Sequence, residues 1–516
     1  MSKVKILWAD DEIDLLKPHI LFLEDKGYEV FSVKSGDAAL ELLEEKKVDI
    51  VFLDENMPGI SGIETLSQIK AKYSSLPVIM ITKSEEESIM EDAIGSKISD
   101  YLIKPVNPKQ ILLSIKKNLD EKRLVSEKTT TDYQQEFRKI GMEINDNLDS
   151  NQWIDVYKKI VHWDMEIANS KESGMKEVLD MQKSEANRQF SRFIENNYTN
   201  WLHNADEAPV MSHTLMKKKI SPFIKDHQPV YFILIDNLRY DHWKAIRPII
   251  SDYFWVEKEE AYYSILPTTT QYARNSIFAG LLPSEIEKKY PNAWLNDDEK
   301  GGKNMHEKEF LEAQLKRFGE NLKFSYYKVL NPNFGRKVLD DIPNLQRNNL
   351  NVIVYNFIDM LSHARTDVDI VRELAEDEAA YRSLTISWFE HSPLFEILKK
   401  IAAQKAKVII STDHGSVRVM EPTKIVGDKE VNPNLRYKQG KTLSYDSKEV
   451  FEIKNPADAF LPKINVSQTY VFAKEDKYFV YPNNYNHFVQ YYKETFQHGG
   501  ISMEEMIIPF VELTAK

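Results

Sequence analysis

The chain has 516 residues, no cysteine and a formal net charge of −12. Without cysteine it can form neither a disulfide framework nor a thiolate metal site, and its acidic balance argues against bulk binding to the nucleic-acid backbone. Its first residues do not form a signal peptide or a lipidation motif, and no apolar run reaches the length of a membrane span. We therefore expect a cytoplasmic protein with more than one domain.

Apolar runs that end in polar residues recur through the first 120 residues. VKILWA precedes Asp10 and Asp11, IVFL precedes Asp54, VIMI precedes Thr82, and YLI precedes Lys104. Amphipathic stretches such as GDAALELLEEKK separate these runs. Strands that alternate with helices in this way predict a parallel sheet of βα repeats, whose polar residues meet at one edge.

Residues 1–121 resemble the receiver domain of bacterial response regulators, which has a flavodoxin-like α/β fold. The resemblance implies that Asp54 accepts a phosphoryl group from a sensor histidine kinase. Lys104 would then pair with the phosphoryl group, Thr82 would hydrogen-bond to it, and the aromatic ring of Tyr101 would follow Thr82 inward. Magnesium, which prefers oxygen ligands, would be held by Asp10, Asp11, Asp54 and Asn56.

Residues 122–205 are rich in charge and poor in glycine, which favours helices. Trp153, Tyr157, Ile160 and Val161 share one helical stripe, and Asp149 or Ser150 could cap the helix that carries them. A second long helix is predicted over KEVLDMQKSEANRQFSRFIENNYTNWL. We interpret this segment as a helical bundle linker, either a passive spacer or an element that transmits a signal.

Carboxylates and imidazoles follow apolar runs in the second half of the chain. The candidates that could ligate a metal are Asp236, Asp359, His363, Asp413, His414 and His498. Ligands collect at the carboxyl ends of parallel strands, and six such residues suffice for two metal ions that each keep an open position. A lone Asp in this position is more often a helix N-cap, so the prediction depends on the set.

Four motifs, IDNLRYD, LPTTTQYAR, TDHGS and QHGGISMEEMIIP, resemble in this order the alkaline phosphatase superfamily and its PglZ branch. The resemblance covers residues 206–516 and implies an α/β domain with two zinc ions. One zinc would bind Asp236, Asp413 and His414. The other would bind Asp359, His363 and His498.

The superfamily's nucleophile lies in a Pro-Thr-x-Thr stretch at the start of a helix. By this resemblance Thr270 is the nucleophile here, with Thr269 as the alternative because the run is degenerate. Arg274, one helical turn later, would pair with the phosphoryl oxygens. Asn237 and Arg239 are further candidates for substrate contact.

Two polar segments, 284–345 and 421–465, interrupt the rhythm of strands in this domain. We expect them to be insertions, which over a metal site often shape substrate choice. The acidic run from Asn296 to Glu299 inside the first segment is expected to be a solvated loop.

A receiver fused to a PglZ domain resembles the PorX-type response regulators of the Bacteroidetes. This resemblance implies a role in type IX secretion. The resemblance to receiver domains implies a dimer that forms on phosphorylation of Asp54. The expected output is zinc-dependent hydrolysis of phosphodiesters, with nucleotides or oligonucleotides as substrates. The alternative is a degenerate phosphatase fold that docks a sigma factor or a secretion component.

Overall fold

The computed structural model describes residues 3–73, 76–83, 98–168, 173–224, 228–297, 299–319, 322–367, 369–427 and 432–516. Side chains are described for all of these except residues 120–130, 173, 365, 367, 369 and 370. The chain divides into two compact units, Met1–Asp132 and Tyr133–Lys516. Within the described residues, no helix is both long enough and apolar enough to cross a membrane.

The first unit contains a five-stranded parallel sheet in the order β2-β1-β3-β4-β5. Its strands are β1 Lys5–Ala9, β2 Glu29–Val33, β3 Ile50–Asp54, β4 Val78–Thr82 and β5 Asp100–Ile103. The described α-helices of this sheet are Lys17–Asp25, Gly36–Glu45, Gly62–Lys72 and Pro108–Ile115. This strand order is the flavodoxin-like order that the sequence predicted.

Both faces of this sheet are covered, which explains the continuous apolar runs. Leu7, Leu53 and Met80 belong to one hydrophobic cluster. Trp8 and Phe52, which neighbour Leu7 and Leu53 in the chain, belong to another. Successive side chains of a strand point to opposite faces, so a sheet buried on both sides needs apolar residues at every position.

Three long helices follow the receiver sheet, and the boundary between the two units falls inside the first of them. The helices are Glu121–Glu143, Ser150–Ala168 and Ser173–His203. Asp149, not Ser150, caps the second helix, because its Oδ1 accepts from the backbone N–H groups of residues 151 and 152 at 2.8 and 2.9 Å. The predicted stripe from Trp153 to Val161 is buried.

That stripe packs in the same hydrophobic core as the central sheet of the second unit. The linker helices after residue 132 therefore form one compact unit with the output domain. An apolar stripe can be read from the sequence, but the sequence does not show which surface covers it.

A six-stranded sheet in the order β7-β18-β10-β6-β9-β8 forms the centre of the second unit. Strands β10, β6, β9 and β8 are parallel to one another, and β18 runs antiparallel between β10 and β7. The bounds are β6 Val230–Ile235, β7 Phe254–Tyr263, β8 Phe324–Val329, β9 Leu350–Tyr355, β10 Lys407–Ser411, β11 Val417–Arg418, β12 Glu421–Lys424, β13 Tyr437–Gly440, β14 Val450–Ile453, β15 Thr469–Ala473, β16 Lys477–Val480, β17 Phe496–Gln497 and β18 Ile507–Ala515.

The α-helices of the second unit cover the sheet and connect its strands. Their bounds are Ser221–Ile224, Tyr240–Ile250, Asn275–Ala279, Pro283–Lys289, Glu307–Arg317, Pro332–Asp341, Phe357–Asp367, Asp369–Leu374, Glu378–His391, Pro393–Ala403, Tyr485–Tyr492 and Met503–Met506. Shorter 3-10 or π-helical turns occupy Ser212–Thr214, Met216–Ile220, Thr270–Arg274, Ile342–Arg347 and Pro456–Ala459.

The segment 284–345 is not the loop-like insertion that its polarity suggested. Strand β8 lies inside it and pairs in parallel with β9 at the edge of the central sheet. Four of its six residues are Ser, Tyr, Tyr and Lys, and an edge position leaves these partly exposed. The segment 421–465 contributes β12, β13 and β14 to small sheets beside the central one.

Candidate functional site

The predicted phosphoacceptor residues of the receiver lie together at the carboxyl ends of β1, β3 and β5. Asp10, Asp11 and Asp54 bring one oxygen each to within 4.8 Å of the others, so they can form an oxygen-ligand site for a divalent cation. The Nζ atom of Lys104 lies 2.8 Å from Asp10 Oδ2 and 3.0 Å from Asp54 Oδ1. Asn56 is exposed in the bend that follows β3.

Burial and charge pairing set the ionisation of this site. Burial raises the pKa of Asp54, and Asp10 and Asp11 add to that rise. Burial opposes the charge of Lys104, but its hydrogen bonds to Asp10 and Asp54 outweigh this and raise its pKa. Thr82 is buried and shares a side-chain hydrogen bond with Tyr101. Both switch residues are therefore already in contact.

In the second unit, Asp236, Asp359 and Asp413 follow strands β6, β9 and β10. These strands are parallel and adjacent, so their carboxyl ends meet at one edge of the sheet. Helix Phe357–Asp367 then presents Asp359 and His363 one turn apart. His498 comes to the same edge from the loop after β17.

One cluster contains Asp359, His363 and His498, as the sequence predicted for the second zinc. The Nε2 atom of His498 is 3.4 Å from Asp359 Oδ1, and that of His363 is 3.5 Å from Asp359 Oδ2. Burial opposes the charge of Asp359, but hydrogen bonds from His363 and His498 hold its pKa well below the usual value.

A second cluster contains Asp236, His414 and again Asp359. The Nε2 atom of His414 is 3.6 Å from Asp236 Oδ1. Burial, with His498 beside it, lowers the pKa of His414 to about 3, so this imidazole is in the neutral form that binds metals. Burial raises the pKa of Asp236 to about 7, against the opposing charge of Arg274.

These separations fit zinc. Ligand atoms about 2.0–2.1 Å from a tetrahedral zinc lie roughly 3.4 Å from one another, and the three histidine–carboxylate separations of 3.4, 3.5 and 3.6 Å are close to that value. Two of the three histidines, His414 and His498, are also oriented as zinc ligands usually are, with the second ring nitrogen hydrogen-bonded to a carbonyl. His498 Nδ1 is 3.2 Å from the oxygen of Thr268, and His414 Nδ1 is 3.1 Å from that of Gly415.

Of the three consecutive threonines, Thr270 is the one whose hydroxyl reaches the clusters. Its Oγ1 lies 3.1 Å from His414 Nε2 and 3.4 Å from Asp236 Oδ1. Thr268 instead bonds the loop of His498, donating to the oxygen of Gly500 at 3.0 Å and accepting from Gly499 at 2.9 Å. The hydroxyl of Thr270 is therefore the one of the three that lies beside Asp236 and His414.

Arg274 does not have the open position that contact with a phosphoryl group would need. It is fully buried and pairs with Asp236 Oδ2, whereas Thr270 and His414 lie near the other oxygen of Asp236, Oδ1. Its Nε also donates to Asp413 Oδ2 at 2.9 Å. Three buried carboxylates surround this guanidinium, including Glu307 at 3.7 Å, so its charge is already paired. The geometry favours positioning of Asp236 over the predicted catalytic contact.

Asp413, the third predicted ligand of the zinc at Asp236 and His414, lies beside His414 and also bonds Arg274. Its Oδ2 accepts from Arg274 and lies 3.8 Å from His414 Nε2, and its Oδ1 accepts from Thr412 Oγ1 at 3.3 Å. The carboxylate that belongs to both clusters is that of Asp359.

Asn237 and Arg239 are also buried, in contrast to the predicted substrate contact. Arg239 pairs with Asp241 at 2.6 Å and with Glu378, a residue that is distant in the chain. The amide of Asn237 donates to Ser362 Oγ at 3.3 Å, which joins the loop of Asp236 to the helix of Asp359. Both side chains position the ligand-bearing segments.

The long linker helix Ser173–His203 contacts the short helix Met503–Met506, which follows the loop of His498 in the chain, and the sequence did not reveal this contact. Asn187 donates to Glu504 Oε2 at 3.0 Å and accepts from the N–H of Met503 at 2.8 Å. Lys183 lies 3.2 Å from the other oxygen of Glu504. Residues so far apart in one sequence give no local signal of contact.

Replacing Asn187 with alanine should lower the free energy of unfolding by about 1–3 kcal/mol, because the N–H of Met503 loses its acceptor and the buried carboxylate of Glu504 loses one of its donors. Asn200→Ala is a matched control, since Asn200 is an exposed residue of the same helix, and its effect should stay within about 0.5 kcal/mol. Urea denaturation of both variants measures the difference. Equal effects of the two substitutions would contradict this role of Asn187.

Comparison with known proteins assigns each part of the chain to a known kind of domain. The model of the BREX system PglZ alkaline phosphatase-like domain matches residues 215–513, more than half of the chain, and the chain belongs to this family. The model of the PorX response regulator linker domain matches residues 123–202, and that of the response regulator receiver domain matches residues 6–116. Together the three matches are the PorX-type architecture.

Individual relatives match the receiver part. The transcriptional regulatory protein ResD of Bacillus subtilis is 33% identical over 22% of this chain and 48% of its own length. The alginate biosynthesis regulator AlgB of Pseudomonas putida is 32% identical over 23% of this chain and 27% of its own. The chain thus spans half or less of these relatives. A CheY-like receiver structure from Methanospirillum hungatei is 28% identical, covers 23% of this chain and 96% of its own, and has a TM-score of 0.23.

Proposed function

We propose that the chain is a response regulator in which phosphorylation of Asp54 controls a zinc-dependent phosphodiesterase in the output domain. A receiver domain implies a sensor histidine kinase as partner, and the PglZ family implies a phosphoesterase. The observation that carries the proposal is the position of the Thr270 hydroxyl, 3.1 Å from His414 and 3.4 Å from Asp236 at the edge of two ligand clusters. A degenerate docking module would have no need to keep this set together.

The proposed reaction forms a bond between Thr270 Oγ1 and phosphorus while the bond from phosphorus to the leaving oxygen breaks. The first cluster, Asp359 with His363 and His498, would hold one zinc, and Asp236 with His414 would hold the other, with Asp359 in reach of both. Bound zinc would lower the pKa of the threonine hydroxyl and stabilise the leaving oxygen. Water then hydrolyses the phosphothreonine and restores the hydroxyl.

Charge around the nucleophile favours diesters over monoesters. A monoester carries an additional negative charge, for which a monoesterase generally supplies cationic side chains. Arg274 and Arg239 are buried and paired with carboxylates. Among the described residues that line the cavity beside the clusters, Lys303 is the one lysine or arginine. This supports phosphodiesters, with nucleotides or oligonucleotides as the proposed substrates.

A matched pair of substrates tests the proposal, nitrophenyl phosphate against bis-nitrophenyl phosphate, with protein stripped of metal and protein reloaded with zinc. We expect hydrolysis by the zinc-reloaded protein and not by the stripped protein. The kcat/KM for the diester should be at least tenfold above that for the monoester. Faster turnover of the monoester would refute the diesterase but leave a phosphoesterase. Equal turnover by stripped and reloaded protein would refute zinc dependence.

Phosphorylation should also shift the chain toward a dimer. Thr82 and Tyr101 would move with the phosphoryl group on Asp54, and the two states need to differ by only a few kcal/mol in interface free energy for a large shift. Light scattering with beryllium fluoride, a phosphoryl mimic, should move the mass from 60.2 kDa toward twice that value. Asp54→Asn is the control and should stay monomeric. An unchanged wild-type mass at micromolar concentration would contradict the prediction.

The PorX-type architecture is the basis for a proposed role in type IX secretion, with a sigma factor or a secretion component as a further partner. Strains that carry Asp54→Asn or Thr270→Ala in place of the native chain test separately whether secretion needs phosphorylation of the receiver and whether it needs hydrolysis at Thr270. Loss of secretion with the first substitution alone would indicate that signalling does not need the hydrolytic site.

A further inference from the structure

A cavity of about 480 Å³ opens beside the two ligand clusters. His363 and His498 lie in its wall, together with Gln271, the residue after Thr270. A substrate with its phosphorus at Thr270 would therefore extend into this space. The volume falls within the range of about 300–1,000 Å³ that is typical of small-ligand sites.

Much of the remaining wall comes from the two polar segments that the sequence singled out, and Thr366, Tyr492 and Gln497 complete it. Asp297 and Lys303 belong to the first, and Asn432, Asn434 and Tyr437 belong to the second. Apart from His363 and His498, Asp297 and Lys303 are the charged residues of the wall, and its other described members include amide and aromatic side chains.

Asp297 is not the solvated loop residue that its acidic surroundings suggested. Its Oδ2 accepts from Tyr437 Oη at 2.7 Å and from Asn432 Nδ2 at 2.8 Å, and its Oδ1 accepts from Tyr272 Oη at 3.3 Å. Asp298, its neighbour, lies outside the described residues. All three donors to Asp297 are neutral side chains, and together they hold the carboxylate in place beside the cavity.

The loop of Asp297 is also held from the other side. Lys303 donates through Nζ to the main-chain oxygens of Asn296 and Glu299, the residues that flank this part of the loop. The indole N–H of Trp294 donates to Asn296 Oδ1 at 3.0 Å. A carboxylate on so well-bonded a loop has a fixed position, as a group that discriminates between ligands must have.

A fixed carboxylate repels a second phosphate and attracts N–H donors. A carboxylate can accept about four hydrogen bonds, and three are used, so Asp297 retains capacity on Oδ1. Nucleobases fit a wall of amides and aromatic rings, since they stack and hydrogen-bond through their edges. Guanine presents two adjacent N–H donors, whereas thymine and uracil flank one N–H with carbonyls that a carboxylate repels.

We propose that this cavity is a nucleobase subsite in which Asp297 recognises the donor edge of guanine in a nucleotide whose phosphodiester lies at Thr270. The inference rests on the proposed phosphodiesterase for the position of the phosphorus. It adds the substrate class, a guanine nucleotide diester, and a residue that determines specificity. Asp297 touches the base and not the reacting atoms.

Three diesters with the same nitrophenol leaving group test the subsite. They are the nitrophenyl esters of guanosine and thymidine 5′-monophosphates and methyl nitrophenyl phosphate, which has no base. The zinc-loaded full chain should hydrolyse the guanosine ester with a kcat/KM at least tenfold above the other two. Asp297→Asn should remove at least nine-tenths of that preference and leave the base-free diester within twofold. Asp206→Asn, an exposed control, should change none of the three.

The outcomes separate the subsite from the proposed function. Equal kcat/KM for all three diesters overturns the subsite and leaves the phosphodiesterase intact. Equal preference for both nucleoside esters over the base-free diester overturns recognition by Asp297. Loss of all three activities in Asp297→Asn assigns Asp297 a structural role and also overturns it.

Calorimetric titration with guanosine and thymidine 5′-monophosphates gives a readout that does not need turnover. Guanosine monophosphate should bind at least tenfold more tightly than thymidine monophosphate, and Asp297→Asn should remove that difference. If no ester is hydrolysed but this difference is found, the proposed function fails and the subsite stands. If the two monophosphates bind equally, the subsite is refuted whatever the turnover.

Discussion

Replacing Thr270 with alanine should lower the kcat for diester hydrolysis by at least about 10³-fold, because removal of a nucleophile is among the most costly changes in an active site. The zinc content should fall by less than half, since the clusters contain five other side chains. Thr270→Ser keeps a hydroxyl and should restore a measurable part of the rate. Trapping of radiolabelled substrate on the wild-type chain, followed by phosphoamino-acid analysis, should detect phosphothreonine.

Thr269→Ala is the matched control, because Thr269 precedes Thr270 and its hydroxyl has no hydrogen-bond partner in the described residues. Its activity should stay within a few-fold of the wild type. Loss of activity in Thr269→Ala with retention in Thr270→Ala would show that the other threonine is the nucleophile. Retention in both variants, with zinc bound, would show that a metal-activated water attacks phosphorus.

Replacing Asp359 with alanine should have the largest effect on metal content. Asp359 belongs to both clusters, whereas His363 belongs to one. We therefore expect fewer than one zinc per chain in Asp359→Ala and about one in His363→Ala, since the loss of a direct ligand from a three-ligand site usually releases the metal. Mass spectrometry of metals on chains incubated with zinc and then desalted gives these numbers.

The matched control for this pair is His391→Ala, because His391 is an exposed histidine of helix Glu378–His391, away from both clusters. It should retain the wild-type content of two. Equal zinc in Asp359→Ala and His363→Ala would show that Asp359 serves one ion, as the sequence alone implied.

The parts of the fold that could be predicted are those that depend on local sequence patterns. Runs such as VYFILI and KVIIS become β6 and β10, and their parallel pairing brings Asp236 and His414 together. In the receiver, the order of Asp10, Asp54 and Lys104 along the chain was sufficient, because each ends a strand of one parallel sheet.

The parts that could not be predicted depend on which buried charged side chains pair with each other in the folded chain. Arg239 pairs with Glu378, and Arg274 pairs with Asp413, each over more than a hundred residues of sequence. A buried charge needs a partner, but a single sequence does not show which one. Both arginines were therefore predicted to face the substrate. Asp297 was assigned to solvent for the same reason, since Tyr437 lies far from it in the chain.

Strand β8 shows a different limit. Its sequence FSYYKV is polar because an edge strand is covered on fewer sides, and polarity of this kind is also typical of a loop. The pairing of β8 with β9 could not be read from its composition.

We expect the output domain to hold two zinc ions, at the two clusters that share Asp359. Crystals of the zinc-incubated chain, measured on both sides of the zinc absorption edge, test it most directly. We expect two anomalous peaks, one bounded by Asp359, His363 and His498 and the other by Asp236, His414 and the Thr270 hydroxyl. A single peak, or peaks that do not contact these residues, would contradict the account.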